Sequence, residues 1–329
     1  RWLISRGYEP NDKERYMFGR TYASNLPYED SKSKFIELEA LKFLEEHGNE
    51  PFMLYLAFLE PHSPNNGPFN DLHGPVDVVL DETYSMPLTK DMPLRYFMKK
   101  GYSYPQEETT KELFAKYWGL VHQVDLSVGV VLSKLKELEL EDNTIVVYTS
   151  EHGKMFRKFG LTGKTVMYEQ SSRVPWLMRI PGTEANRITY PVSQIDMVPT
   201  LLELMGAEAP SSLQGRSLLP AIRGERPMPE PVFVEWNPFP NWQSQLEDCP
   251  EWAQSEDCRD AVQTRIRSVV TPEGWKLNWS SSDKSQLFNL AEDPKEKINL
   301  FYEEAYDGKV RELQELIKGW QVRTGDVVS

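Results

Sequence analysis

The sequence predicts an α/β fold: a mainly parallel sheet covered by helices, followed by a smaller C-terminal antiparallel α+β subdomain. Three observations predict it. An amphipathic helical stretch leads into a continuous apolar run twice, across 33–59 and again across 110–149. Each run ends in a loop that carries a histidine, His62 after the first and His152 after the second. Beyond residue 231 the texture changes to short alternating runs separated by turn signals. A strand that is apolar throughout is what a sheet with helices on both faces requires, whereas alternating short runs suit an antiparallel meander.

Residues 33–47 place Ile36, Ala40, Phe43 and Leu44 on one helical face, with Ser33 as N-cap and Gly48 just past the end. The run Phe52–Leu59 then reads as a buried strand. A long stripe of Phe114, Tyr117, Trp118, Val121, Val124, Val128, Leu132 and Leu135 predicts a helix over 110–138 that faces the core along that line. Strands follow at 144–149 and at Val174–Ile180, and a helix at 193–205 ends at Gly206. Pro, Gly and Ser accumulate over 207–231, so the domains read as 1–225 and 226–329. In the second, "TRIRSVVT", "GWKLNW" and "SQLFNL" are short strands, Asp293-Pro294 is a turn, and residues 303–322 form a closing helix.

At 329 residues, with 40% hydrophobic and 26% charged positions, the chain is globular in composition. A net charge of −13 argues against a nucleic-acid partner, which calls for basic patches, but leaves a small anionic substrate open where a metal ion reverses the local field. No apolar run is long enough to span a membrane. Cys249 and Cys258 can form a local disulfide or remain two thiols, and Asn278-Trp-Ser is a glycosylation sequon that carries meaning only in a secretory setting. The aromatic and acidic stretch 237–260 can rim a pocket or cover a subunit contact, and nothing in the pattern speaks to oligomeric state. The chain opens on Arg1 with no methionine and no signal-peptide pattern, which predicts a processed chain or a fragment.

Four residues stand out for chemistry. In α/β folds ligands bind beyond the carboxyl ends of the strands, and the candidates cluster in sequence at such ends. Glu151 and His152 set a hard oxygen donor beside an imidazole, a pair that fits either a metal site or an ordinary strand end. His62, in "EPHSP", is a proton donor or anion-binding group held by two stiff prolines, or a structural turn residue. Lys164, in a Gly-Leu-Thr-Gly-Lys loop, can neutralise an oxyanion as a point charge. Arg173, ahead of "VPW", is expected to anchor its loop through a salt bridge.

Taken as an ordered set, "PFMLYLAFLEPHSP", "NTIVVYTSEHGKMFRKFGLTGKTVMYEQSSRVPWLMRIPG", "VSQIDMVPTLLELMG", "LQGRSLLPAIRGE" and "LFNLAEDPKEKINL" resemble the sulfatase family of the alkaline-phosphatase-like superfamily. The resemblance runs from about residue 33 over nearly the whole chain. It implies an alkaline-phosphatase-like sheet that is incomplete at its N-terminus, and hydrolysis of sulfate esters, carbohydrate sulfates first. The family's nucleophile is a formylglycine within a C/S-x-P/A-x-R motif, assisted by a divalent cation, usually Ca2+, with Mg2+ or Mn2+ as alternatives. By the match, Glu151 and His152 bind that metal, Lys164 contacts the sulfate, and His62 binds the sulfate or protonates the leaving oxygen. A periplasmic, secreted or lysosomal location is what the resemblance favours.

This sequence departs from the family pattern in three places. Glu151 stands where the family usually has Asp. Arg157-Lys158-Phe159-Gly160-Leu161 stands where Gly-Glu-His-Gly-Leu is common, so Phe159 replaces a histidine. The C/S-x-P/A-x-R motif and the family's paired aspartates do not occur in the chain. The expectation is that they belong to a preceding part and that this chain alone is inactive. Two alternatives remain: a phosphonate monoester or phosphodiester hydrolase of the same superfamily, and a non-catalytic relative that binds sulfated glycans.

Overall fold

The protein, seen in a computed structural model that describes residues 1–98, 107–225, 228–239 and 249–326, has a mixed α/β fold. Helices longer than one turn are α1 (Lys32–His47), α2 (Glu107–Glu137), α3 (Met197–Leu204), α4 (Ser255–Gln263) and α5 (Asp307–Thr324). Strands β1 (Val146–Thr149) and β2 (Trp176–Arg179) form a two-stranded sheet. Strands β3 (Val232–Trp236), β4 (Ile266–Val270), β5 (Trp275–Ser280) and β6 (Gln286–Asn289) form a second sheet in that order. The chain divides into two compact units, one from residues 1–84, 106–147 and 178–182, the other from 85–105, 148–177 and 183–329. Among the described residues no helix is long and apolar enough to cross a membrane.

In the first unit α1 packs along α2. The N-cap of α1 is Ser31, whose hydroxyl accepts from the Lys34 amide at 3.2 Å, and not Ser33. Ser33 is buried instead and accepts from Gln123 Nε2 at 2.6 Å. That bond reveals where α2 departs from its predicted face. Val124 and Leu135 are buried as expected, but Val121 is exposed, and the buried line runs through Ala115, Gly119, Gln123, Ser127 and Val131. Small and polar residues fill this line because the contacts are close and hydrogen-bonded. A Cβ on Gly119 would collide with the Phe69 carbonyl, and Ser127 meets the Tyr28 hydroxyl at 3.1 Å.

Residues 52–59 are extended but not a strand, contrary to the sequence expectation. Phe52, Leu54 and Leu56 pack against Ala40, Leu44, Val131 and Leu135, while Met53 and Tyr55 are 91% and 85% exposed. An extended chain without a hydrogen-bonded neighbour alternates its side chains in and out, so only one of its two apolar faces is covered.

The second unit holds the predicted meander. All three pairings in the β3–β6 sheet are antiparallel, with Val269 opposite Leu277 and Leu277 opposite Leu287. Those three residues, all fully buried, receive Val310, Leu313 and Ile317 from α5, which closes the sheet as the sequence anticipates. The turn between β4 and β5 is Thr271-Pro-Glu-Gly274, where Gly274 adopts φ +91°. Asn278 of the sequon is buried in β5 and accepts from Ser268 Oγ at 2.7 Å, so in the folded chain it is a core residue. Cys249 and Cys258 are joined in a disulfide, with Cys258 buried against Met98, Ala261 and Val262. Most of the stretch between β3 and the disulfide, 240–248, lies outside the described residues.

One buried ion network ties this sheet to the rest of its unit. Lys276 on β5 donates to Glu169 Oε1 at 2.8 Å and to Glu296 Oε1 at 2.9 Å, and Glu296 Oε2 accepts from the Glu169 amide at 2.6 Å. Burial works against the charge on Lys276, yet the two carboxylates win and hold its ammonium above the ordinary lysine value. Removing one member leaves the others buried and uncompensated, which costs roughly 3–5 kcal/mol. Lys276→Met should therefore lower the stability from urea unfolding by about that amount, and adding Glu296→Leu should recover part of it. A Lys276→Met transition within 1 kcal/mol of wild type would show that the network contributes little.

Candidate functional site

Three of the four candidate residues, Glu151, His152 and Lys164, lie on a loop that leaves β1 and returns at Ser171. Hydrogen bonds from Gly153 N to Ser171 O (2.7 Å), Met155 N to Gly163 O (2.6 Å) and Arg157 N to Leu161 O (2.7 Å) draw its two arms together. Gly153 is needed because any Cβ there would collide with the Gln170 carbonyl. Of seven non-glycine residues with positive φ among those described, four lie in this loop: Phe156, Arg157, Phe159 and Thr165. Such angles each cost about 1–3 kcal/mol and persist only where the surroundings over-determine them. Here the surroundings are Met155, Phe159, Leu161, Val166 and Tyr168, buried together with Leu88, Met92, Tyr96 and Phe288.

Phe159 shows why the sequence lacks a histidine at that point. Its ring is fully buried 5.1 Å from Tyr168, a place for an aromatic hydrocarbon and not for a titrating group. Tyr96 donates to Gln286 Oε1 and Gln286 Nε2 donates to Tyr168, both at 3.2 Å, so one amide of β6 satisfies two buried phenols. Burial pushes both phenols upward, which keeps them neutral.

Two further latches fix the loop ends. Gln194 Nε2 donates to Ser150 O at 2.6 Å and to Thr149 Oγ1 at 3.1 Å, holding the backbone immediately before Glu151. At the other end Arg95 Nη2 donates to Thr165 O at 3.1 Å, while its guanidinium lies 4.2 Å from the Trp236 ring centroid. Asp283 positions this arginine by accepting from the Leu94 and Arg95 amides at 2.9 and 3.0 Å. Burial pulls the guanidinium below its ordinary value, and its Nη1 is buried with no hydrogen-bond partner.

On this scaffold Glu151 and His152 are brought together, with Glu151 Oε1 3.3 Å from His152 Nε2. His152 Nδ1 lies 2.8 Å from the Gly153 carbonyl. A carbonyl only accepts, so Nδ1 carries the proton, and in the neutral ring Nε2 is a lone pair. A carboxylate oxygen and an imidazole lone pair at 3.3 Å oppose each other unless a proton or a metal cation stands between them. Glu151 is largely exposed and His152 half-buried, so the pair opens to solvent.

Lys164 is half-buried on the returning arm, and Lys154 is half-buried on the outgoing one. Burial, with the neighbouring charge of Lys164, holds the Lys154 ammonium below its ordinary value. His62 belongs to the first unit and the other three candidates to the second. It is exposed, with Nδ1 2.9 Å from the Ser63 carbonyl, and it lines a small recess with Arg20, Lys32 and Asn66. Arg173 is exposed and, against expectation, forms no salt bridge among the described residues; its amide donates to Glu169 O, which already ends the helical turn. Among the described residues no three His, Cys, Asp or Glu side chains gather as a complete metal site.

Sequence reasoning overlooked Lys154, Gln194 and Arg95. Lys154 had a legible signal, since 153–168 carries Lys154, Arg157, Lys158 and Lys164 without an acid in an otherwise acidic chain. Arg95 had none, being 70 residues from Thr165 in the chain.

Comparison with known proteins bears on this site. The family model described as Sulfatase matches residues 4–207. Arylsulfatase K of Canis lupus familiaris is 31% identical over 81% of this chain and 52% of its own length. Among solved structures, the phosphonate monoester hydrolase SpPMH from Silicibacter pomeroyi superposes with a TM-score of 0.76 at 21% identity, covering 98% of this chain and 68% of that one. BT4656, solved with its substrate D-glucosamine-2-N,6-O-disulfate, superposes with a TM-score of 0.66 at 21% identity, covering 90% and 70%. The chain thus spans about half the length of arylsulfatase K and about two thirds of the two solved chains. With the family match extending over residues 4–207, this chain belongs to the sulfatase family of the alkaline-phosphatase-like superfamily.

Proposed function

We propose that this chain is the larger part of a sulfatase that hydrolyses sulfate esters, carbohydrate sulfates first, by a metal-assisted formylglycine mechanism. The observation that carries the proposal is the opposition of Glu151 Oε1 and His152 Nε2 at 3.3 Å, an arrangement that a divalent cation relieves. The pair fits as part of a ligand set: a carboxylate suits Ca2+ well, imidazole is softer, and Ca2+ takes 6–8 oxygen-rich ligands. The remaining ligands and the formylglycine belong, in this proposal, to the part of the family's length that the chain does not span. In this reading β1 belongs to a mainly parallel sheet covered by helices in the whole protein. The Cys249–Cys258 disulfide suits an oxidising compartment, in keeping with a periplasmic, secreted or lysosomal location.

The cation, when bound, places positive charge against the nonbridging oxygens of the ester. Lys164 adds a second positive charge, held on an arm whose backbone cannot relax, so little reorganisation is needed as charge develops. His62 presents Nε2 outward, because Nδ1 is committed to the Ser63 carbonyl. As imidazolium it delivers a proton from Nε2 to the departing oxygen. Hydrolysis of phosphonate monoesters or phosphodiesters would use the same donors, and it is supported by the likeness in fold to SpPMH.

Calcium titration of the full chain by calorimetry tests the metal pair. Glu151→Gln should weaken binding at least tenfold, and Glu151→Asp should tighten it, since the shorter side chain is the family's usual ligand. Equal affinities in all three proteins remove the pair from the metal site. Reading the gene upstream of the Arg1 codon tests the rest. A paired-aspartate segment followed by C/S-x-P/A-x-R supports the sulfatase, and a start codon close by without that motif moves the glycan-binding alternative forward.

In the protein that carries the nucleophile, His62→Ala should lower turnover of an alkyl sulfate by about 10²–10⁴-fold. A nitrophenyl sulfate, whose leaving group needs no proton, should suffer far less. Equal losses on both would exclude His62 as the proton donor. Faster turnover of a phenylphosphonate monoester than of any sulfate would favour the phosphonate alternative.

A further inference from the structure

The recess beside His62, built entirely within the first unit, holds buried acceptors that no donor satisfies. Glu60 Oε2 and Gln123 Oε1 are both buried without a hydrogen-bond partner, and both residues line it. Buried polar atoms in a folded chain are nearly always paired. Two unpaired oxygens in one recess therefore call for an occupant that donates.

The local structure keeps both oxygens available. Gln123 on α2 is 2% exposed, and its Nε2 is committed to Ser33 Oγ at 2.6 Å, which leaves Oε1 for the recess. The bare backbone of Gly67 keeps the space over that oxygen open: a Cβ there would stand 3.2 Å from Gln123 Oε1 and 2.7 Å from Leu120 Cδ2. Asn66, the other side-chain amide of the lining, is engaged on both sides, donating to Asn25 and accepting from Asn70. Arg20 and Lys32 also line the recess, yet neither donates to Glu60 Oε2.

Size and charge narrow the occupant. The recess has a volume of about 20 Å3, which admits one water-sized group. Arg20 and Lys32 repel a cation, and Glu60 repels an anion. A neutral hydroxyl is small enough, carries no charge and donates. His62, proposed above to protonate the departing oxygen, is exposed on the lining of the same recess. A hydroxyl on the carbon next to the ester carbon is then the group within reach.

We infer that the recess receives that neighbouring hydroxyl of the leaving alcohol, with Glu60 Oε2 and Gln123 Oε1 as its acceptors. The protein then selects sulfate esters of vicinal diols, such as sugars with a free hydroxyl beside the sulfated one, over esters of simple alcohols. This rests on the role of His62 proposed above and adds a substrate class to it.

The test is calorimetric binding of cyclohexyl sulfate and trans-2-hydroxycyclohexyl sulfate to the full chain with calcium present, because the two esters differ by one hydroxyl. Wild type should bind the hydroxylated ester about tenfold tighter. Gly67→Ala, which fills the recess, and Glu60→Leu, which removes an acceptor, should each shrink the preference to within about twofold. Equal wild-type affinities mean that the recess holds a trapped water only and overturn the inference, as does a preference that survives Gly67→Ala. The alkyl and nitrophenyl sulfates that test His62 need no second hydroxyl and read proton transfer, so the role of His62 and the role of the recess fail separately.

Discussion

Phe156, Arg157, Phe159 and Thr165 hold backbone angles that an L-residue adopts only at a cost of about 1–3 kcal/mol each, and the side chains buried beneath them offset that cost. Met155, Phe159 and Leu161 are fully buried, and burying side chains of this size contributes roughly 1.5–3 kcal/mol apiece. Tyr168 is the centre of the arrangement, in contact with Tyr96, Phe159 and Phe288 at centroid distances of 5.6, 5.1 and 6.1 Å. Without this cluster the loop would relax from these angles.

Polar contacts then locate the loop within its unit. Gln194 grips the end of β1, Arg95 grips Thr165, and the Lys276 network grips Glu169 at the start of the helical turn that closes the loop. The three come from distant points of the sequence and use different chemistry: an amide, a guanidinium stacked on Trp236, and a buried ion triad. Each satisfies backbone or side-chain groups that burial would otherwise leave unpaired. The β3–β6 sheet contributes through Lys276, Gln286 and the Asp283 turn, so the small sheet supports the site as well as closing the chain.

The electrostatics of the chain run in two directions. Its excess of acid lies over the surface at large, while one sixteen-residue stretch, 153–168, is purely basic in its charged residues. A local positive field within a negative protein attracts a small anion without attracting a polyanion along the whole surface. The same stretch lies between Glu151-His152 on one side and Glu169 on the other, so charges of both signs sit close together in the chain.

Much of this was legible in the sequence. The meander after residue 265, the closing helix and the helical stretch ending at His47 follow from periodicity and turn residues, because each depends on neighbours a few positions away. Glu151, His152 and Lys164 could be singled out because a strand end and a glycine-bearing loop are local features. Long-range packing decided the remainder. The buried face of α2 is set by the close approach of Phe69 and by hydrogen bonds to Ser33 and Tyr28, which no hydrophobic stripe encodes. Residues 52–59 are apolar enough for a two-sided strand, yet whether both faces are covered depends on what lies beside them. The sequon at Asn278 and the arginine at 95 have the same lesson: burial, and the partner it brings, come from residues far away in the chain. The sequence by itself determined which side chains with catalytic chemistry stand at the ends of elements. Only the tertiary structure decided which of them face one another, because that depends on backbone angles that distant aromatic and polar contacts hold in place.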